Sequence, residues 1–268
     1  MTDGQGADID RPNAARMYDY FLGGDQNFTA DRAAAESVLD SYPDAALAAQ
    51  ANRAFLRRAV TALAQQGIDQ FLDIGSGLPT VGNVHEVAWA VNPAARVVYV
   101  DHDPVAVRYS REILDEDGTS GVAVIEADLR DPEAILGHAD TRRLLDIRRP
   151  IALLLVAVLH FIIDDDEARR AVRAFRDALT PGSYIVISHA TTEGLPADVI
   201  ARFEAIYRRS THPTTARTRA RIETLFDGLA VVSPGIVPTP LWRPMSARDL
   251  FVDQPSRAGI LAGMGRTL

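Results

Sequence analysis

The chain has 268 residues, 47% of them apolar and 24% charged, which suits one large globular domain with a full core. It has no cysteine, and all 28 basic residues are arginine, so disulfides, thiolate metal sites, cysteine nucleophiles and Schiff-base or P-loop lysines are excluded. A net charge of −8 disfavours a nucleic-acid partner.

Residues 1–10 are acidic, lack an apolar signal core and read as a disordered tail. No stretch reaches the roughly 18 apolar residues of a membrane span. No membrane partner is expected, and the lack of cysteine fits the cytoplasm. A helix is predicted from Pro12 to Leu22, with proline in its first turn and Gly23-Gly24 as its stop. A second runs from Ala30 to Leu39, with Thr29 as N-cap. A third spans Asp44 to Gln66, where Leu47, Ala51, Phe55, Val60 and Leu63 keep a helical period.

The pattern then changes. Strands are predicted at Phe71 to Ile74, Arg96 to Val100, Val122 to Ile125, Ile151 to Val158 and Tyr184 to Ser188. Helices fall between them, around Val81 to Val91, at Pro104 to Leu114, from Asp131-Pro132, and from Asp164 to Leu179. Such alternation predicts a parallel sheet covered on both faces. Helices at Ala197 to Arg209 and Arg217 to Phe226 follow, then two last strands, Leu229 to Val237 and Gly259 to Arg266. The expected fold is α/β: a doubly wound, seven-stranded, mostly parallel sheet. One domain is expected over 11–268, with a helical lid at 11–66 and a core at 67–268.

The segment Asp73-Ile74-Gly75-Ser76-Gly77 ends the first strand, where open α/β sheets bind ligands. Glycine lets the backbone turn sharply and lets a ligand come close. Asp101 ends the second strand, where a carboxylate can accept both hydroxyls of a ribose; Asp128 follows the third, where one can take an adenine amine. Thr80 stands where a G-x-G-x-x-G loop has its third glycine, and the charge of Asp73 would repel a pyrophosphate. The same charge suits the ammonium of a methionine. The set therefore favours S-adenosylmethionine (SAM) over a dinucleotide, and an NAD-dependent oxidoreductase is the third-ranked reading.

These motifs resemble the class I SAM-dependent methyltransferases. More narrowly, Arg11 to Gly24, Gly75 to Thr80, Pro234 to Val237 and Leu241 to Pro244 resemble an actinobacterial S-adenosyl methyltransferase family once catalogued as a domain of unknown function. The resemblance implies a Rossmann-like core and an antiparallel last strand. It also implies that Asp73, Gly75, Ser76 and Gly77 hold the methionine end and Asp101 the ribose. His102 would lie against the adenine, Asp128 and Leu129 at its edge, and Ala157 near the sulfonium.

A methyl transfer needs an aligned nucleophile, and an oxygen or nitrogen acceptor can need a base. His160, after the fourth strand, is the candidate base. The N-terminal helix offers Tyr18 as a catalytic lid residue and Tyr20 as a cofactor contact, with Asp19, Asp25 and Asn27 nearby and Gly23-Gly24 as a hinge. His189 could line the pocket, whereas His138 and His212 read as loop or surface residues. Arg217, Arg219 and Arg221 read as a solvated face, and Trp242 as packing. His85-Glu86 falls one residue short of a zinc motif, so no metal is expected. The expected partner is a small-molecule methyl acceptor, and a homo-oligomer is compatible. A SAM-binding regulatory protein without turnover would share every cofactor residue.

Overall fold

Short apolar runs, buried on both faces, build the centre of the molecule. The computed structural model describes residues 9–78, 82–116 and 120–268. Its eight strands form one sheet: β1 (Gln70–Ile74), β2 (Arg96–Asp101), β3 (Val122–Glu126), β4 (Ala152–Val156), β5 (Tyr184–Ala190), β6 (Leu229–Val231), β7 (Val237–Pro238) and β8 (Ile260–Thr267). The order is β3-β2-β1-β4-β5-β8-β6, with β7 also paired to β8. β1 to β5 are mutually parallel, and β8 runs antiparallel to β5, β6 and β7. The order reverses between β1 and β4, which opens a crevice at their carboxyl ends.

The expected strand from Leu229 to Val237 is thus two short strands, giving eight rather than seven. Pro234 has no N–H for the ladder, and Gly235 N instead closes a turn onto Val232 O at 2.8 Å.

Ten α-helices surround the sheet in the described residues: α1 (Ala14–Phe21), α2 (Thr29–Ser41), α3 (Ala45–Gln65), α4 (Val84–Trp89), α5 (Pro104–Glu116), α6 (Pro132–Gly137), α7 (Ala139–Leu144), α8 (Asp165–Ala178), α9 (Ala197–Tyr207) and α10 (Arg219–Glu223). Side chains alternate along each strand, so each face has its own core. Leu72, Ile74 and Leu153 join Ala168, Val172 and Phe175 of α8 on one face. Phe71, Val97 and Leu154 join Phe55, Val60 and Leu63 of α3 on the other. Asp73 shares the parity of Phe71 and so turns toward α3.

Helix α3 is about 30 Å long at 1.5 Å per residue. Its second half lies on the sheet, and its first half packs with α1, α2 and α9 in a separate apolar cluster that includes Met17, Phe21, Val38 and Tyr207. These helices, here called the cap, bring residues of α1 and the first half of α3 to the crevice.

Several helix ends differ from expectation. Asn13 caps α1, its side chain accepting from Ala15 N and Arg16 N, so the helix begins after Pro12. Thr29 is the first residue of α2 rather than its cap. Arg217 precedes α10 in extended backbone and donates its N–H to Ala190 O at 3.1 Å. The expectations for residues 1–8 and for Pro79-Thr80 lie outside the described residues. No helix among the described residues is long and apolar enough to cross a membrane.

Candidate functional site

At the end of β1 the chain turns sharply. Gly75 and Gly77 have φ of +72° and +65°, a region closed to most L-residues. A Cβ on Gly75 would sit 2.3 Å from Val158 Cγ2, so β4 and the turn approach only because the side chain is missing. Gly75 N and Ser76 N both donate to Val100 O, at 2.8 and 3.2 Å. Gly77 N donates to Asp101 Oδ2 at 2.7 Å, and Asp103 N to Asp101 Oδ1 at 2.9 Å. The Asp101 carboxylate is thus oriented by backbone.

Asp73 is 5% exposed. Burial raises its pKa to about 7, the positive charge of Arg53 on α3 opposes this, and Asp101 adds to it. Burial also raises the pKa of Asp101, against the N–H groups of Asp103 and Gly77. Asp103 caps α5 by accepting from Val105 N at 2.8 Å, and its Oδ2 is buried without a hydrogen-bond partner. Ser76 Oγ is likewise buried and unpartnered. Carboxylates and a hydroxyl with spare acceptor capacity therefore line one wall.

Asp73, Gly75, Ser76, Gly77, Asp101 and Asp103 border one cavity of about 480 Å³. Of the sequence candidates it brings together Tyr18, Asp73, Gly75, Ser76, Gly77, Asp101, His102, Asp128, Leu129, Ala157 and His160. Asp128 faces it from the rim, with Arg130 Nε at 2.9 Å from its Oδ1; this side-chain bond lowers the Asp128 pKa. Asp131, not Asp128, caps the next helix, by accepting from Ala134 N at 2.9 Å.

Tyr20 is not among the lining residues. It lies two positions from Tyr18, about 200° around the helix, and its hydroxyl donates to Glu36 on α2 at 3.3 Å. Asp19, Asn27 and Arg16 also serve the cap itself. Asp19 Oδ2 accepts from Gln26 N and Asn27 Nδ2 at 2.9 and 2.8 Å. Arg16 Nε donates to the buried Asp31 at 2.7 Å. Gly23 N and Gly24 N close back on Tyr20 O and Asp19 O, a Schellman C-cap rather than a hinge.

Ala157 has φ of +56°, strained for a residue with a Cβ. Its N–H donates to Ser188 Oγ at 3.0 Å. Ser188 Oγ donates to Asn52 Oδ1 at 2.6 Å, Asn52 Nδ2 donates to Tyr18 Oη at 3.0 Å, and Tyr18 donates to Ala49 O at 3.1 Å. One chain of hydrogen bonds thus runs from the cap helix to the end of β4. Asn52 was detectable as the one amide in the apolar stripe of α3.

His160 lines the cavity but stands near other polarity. Its pKa is well below 6.5, first through burial, then through His189 and Arg217. Its Nδ1 is buried without a partner. Arg217 is no solvated residue: it is 2% exposed and donates to Asp165 Oδ1, Leu159 O and Ile162 O at 2.7, 3.2 and 2.7 Å. It also meets His189 Nε2 at 2.7 Å, while His189 Nδ1 meets Ala190 O at 2.7 Å. Because guanidinium only donates, His189 carries its proton on Nδ1 and is neutral, its pKa pushed down to about 3 mainly by burial. His189 is absent from the cavity wall, whereas His212, read as surface, lines it. Trp242 is fully buried edge-on to Phe55 at 5.3 Å.

The model of a family described as S-adenosyl methyltransferase matches residues 2–268. The chain belongs to that family. It is 45% identical to a Thermobifida fusca protein assigned to the methyltransferases, over 97% of this chain and 96% of that one, with a TM-score of 0.89. It is 37% identical to a Streptomyces avermitilis protein of the DUF574 family, over 97% and 99%, with a TM-score of 0.92. The N-methyltransferase NodS of Bradyrhizobium japonicum, solved with S-adenosylhomocysteine, shares the fold at 16% identity and a TM-score of 0.50, over 94% and 98%. Among curated proteins none matches the chain. SAM-dependent methylation is thus the chemistry of the family.

Proposed function

We propose that this protein binds SAM at the Gly75–Gly77 turn and transfers its methyl group to a small molecule. The observation that carries this is the continuity of one cavity from the Asp73, Asp101 and Asp128 strand ends, past Ala157, to an apolar chamber under the cap. The residues fit the cofactor. At Gly77 a Cβ would meet nothing nearer than Ala15 Cβ at 4.0 Å, so the turn is open there, and the buried Asp73 carboxylate suits an ammonium. Asp101, with lone pairs left after two N–H bonds, suits a ribose diol. Leu129 and His102 would flank the adenine, with Asp128 at its amine.

When bound, SAM supplies an electrophilic methyl on a sulfonium. The chain's own part is alignment, exclusion of water and acceptance of a proton. Ala157, fixed by Ser188 and Asn52, sets the backbone where the two ligands would meet. Tyr18, committed to Ala49 and Asn52, acts by holding the cap closed rather than by taking a proton. His160, neutral before the reaction, accepts a hydrogen bond from the incoming nucleophile and takes its proton as the new bond to the methyl forms.

A binding-only regulator would need the cofactor end and not the chamber beyond Ala157, so the chamber favours turnover. The charge of Asp73 would repel a pyrophosphate, which argues against NAD. Calorimetry with SAM and S-adenosylhomocysteine tests the reading. Binding that is lost in Asp101→Ala, with methyl transfer from labelled SAM to a metabolite extract, supports it. No binding at millimolar ligand overturns it.

A further inference from the structure

The cavity is divided by charge. Its charged lining residues, among those described, are Arg53, Asp73, Asp101, Asp103, Asp128 and Arg130, all at the glycine-turn end. Past Ala157 the walls are Phe21, Tyr42, Leu195, Val199, Phe203 and Tyr207, with no carboxylate or guanidinium among the described lining residues. A charged acceptor would lose its hydration there without a counter-charge, a penalty of several kcal/mol in general.

One wall is also a ladder of rings. His102 meets His212 at 5.7 Å between centroids, and His212 meets Phe161 at 6.2 Å. Phe161 meets Tyr207 at 6.3 Å and 39°, and Tyr207 meets Phe203 at 4.6 Å and 35°. All five line the cavity, and His160 abuts the ladder at Phe161, 4.5 Å away. Phe161, Tyr207 and Phe203 pack on one another in tilted contacts, and all three reach the cavity wall beside His160.

We propose that the chamber binds an uncharged, flat aromatic molecule carrying a hydroxyl, its rings on Phe161, Tyr207 and Phe203 and its hydroxyl at His160. This rests on the methyl-transfer reading. Aromatic rings gain from offset or edge contacts with such a surface, which a saturated ring of equal size does not. His160, held neutral, is a weak base, and an aryl hydroxyl is acidic enough to need no stronger one.

The test uses the full chain saturated with S-adenosylhomocysteine. Titrants are 2-naphthol and 2-hydroxyanthracene, with 2-naphthoate as the charged control and decahydro-2-naphthol as the saturated one. The hydroxyarenes are expected to bind about tenfold more tightly than either control. Phe203→Leu and Phe161→Leu should weaken them about three- to tenfold, while S-adenosylhomocysteine affinity, unchanged, reports an intact fold. If S-adenosylhomocysteine binds but a control matches the hydroxyarenes, or neither hydroxyarene binds, the acceptor class is overturned and the cofactor reading stands. If S-adenosylhomocysteine itself does not bind, both fall.

Discussion

A carboxylate with a pKa near 7 gives the site a pH dependence with a definite sign. Asp73 is raised from 3.8 to about 7 by burial, so the native state keeps a proton that the unfolded chain has lost between those values. Without ligand, its protonation stabilises the fold fully below pH 3.8, and that support is gone once pH rises past 7. An ammonium ligand needs the ionised form. S-adenosylhomocysteine should therefore bind about tenfold more weakly at pH 6 than at pH 7.5, as read by calorimetry. In Asp73→Asn that slope should vanish and affinity should fall at every pH. The same variant should be more stable without ligand at pH 8, by on the order of 2 kcal/mol in urea unfolding, because no buried charge remains. Equal pH slopes in both proteins would exclude Asp73 as the titrating contact. Gly75→Ala belongs to the same scale. Its Cβ would meet Val158 and need φ of +72°, so a folded protein with cofactor affinity reduced at least about tenfold is expected by calorimetry.

Among the elements, α1 carries Arg16, Tyr18, Asp19 and Tyr20, and their hydrogen bonds serve architecture. The buried Arg16–Asp31 pair joins α1 to α2, with Asp31 also accepting from Asn13 N and Phe28 N at 2.8 Å each. Asp31→Ala would leave Arg16 facing an apolar cluster and should cost about 3–5 kcal/mol in chemical denaturation. A loss below 1 kcal/mol would mean that the pair is solvated. Sequence made the layers legible for a simple reason. The short apolar runs of the central strands and the 3.6-residue period at Leu47 to Leu63 record burial directly. The glycine turn and strand-end aspartates were legible because their residue types have few other uses at those positions. The cap's polar network was not, since Asp19 and Asn27 look alike whether they bond a ligand or a neighbouring loop. Arg217 was hidden for the same cause. Its five-donor fork is satisfied by carbonyls of a distant segment, and its local spacing with Arg219 and Arg221 shows only periodic charge.

At the scale of the whole molecule, the two ends of the cavity come from different parts of the chain, and the cap ties them. The glycine-turn end is built mainly from residues 73–130, whereas the chamber takes walls from α1, α3 and the 195–216 region. Contacts tie the chamber walls to one another and to the end of β4. Thr211 N donates to Pro12 O at 2.9 Å, Asn13 Nδ2 to Thr211 Oγ1 at 3.2 Å, and Arg11 Nη2 to Ser210 O at 2.7 Å. From the other side, Asn52 links Tyr18 to Ser188 and so to the strained Ala157. A ligand that fixes the backbone around Ala157 should therefore slow opening of α1 without touching most of it. Hydrogen exchange with and without S-adenosylhomocysteine checks this. Protection is expected at Gly75–Gly77 and, through the network, at the α1 amides and Thr211, by about a factor of ten. Asn52→Ala removes the link between Tyr18 and Ser188 while leaving the Asp73 and Asp101 contacts in place. It should preserve protection at the glycine turn and abolish it at α1. Protection confined to residues 73–130 in the unaltered protein would show instead that the cap and the cofactor end move independently.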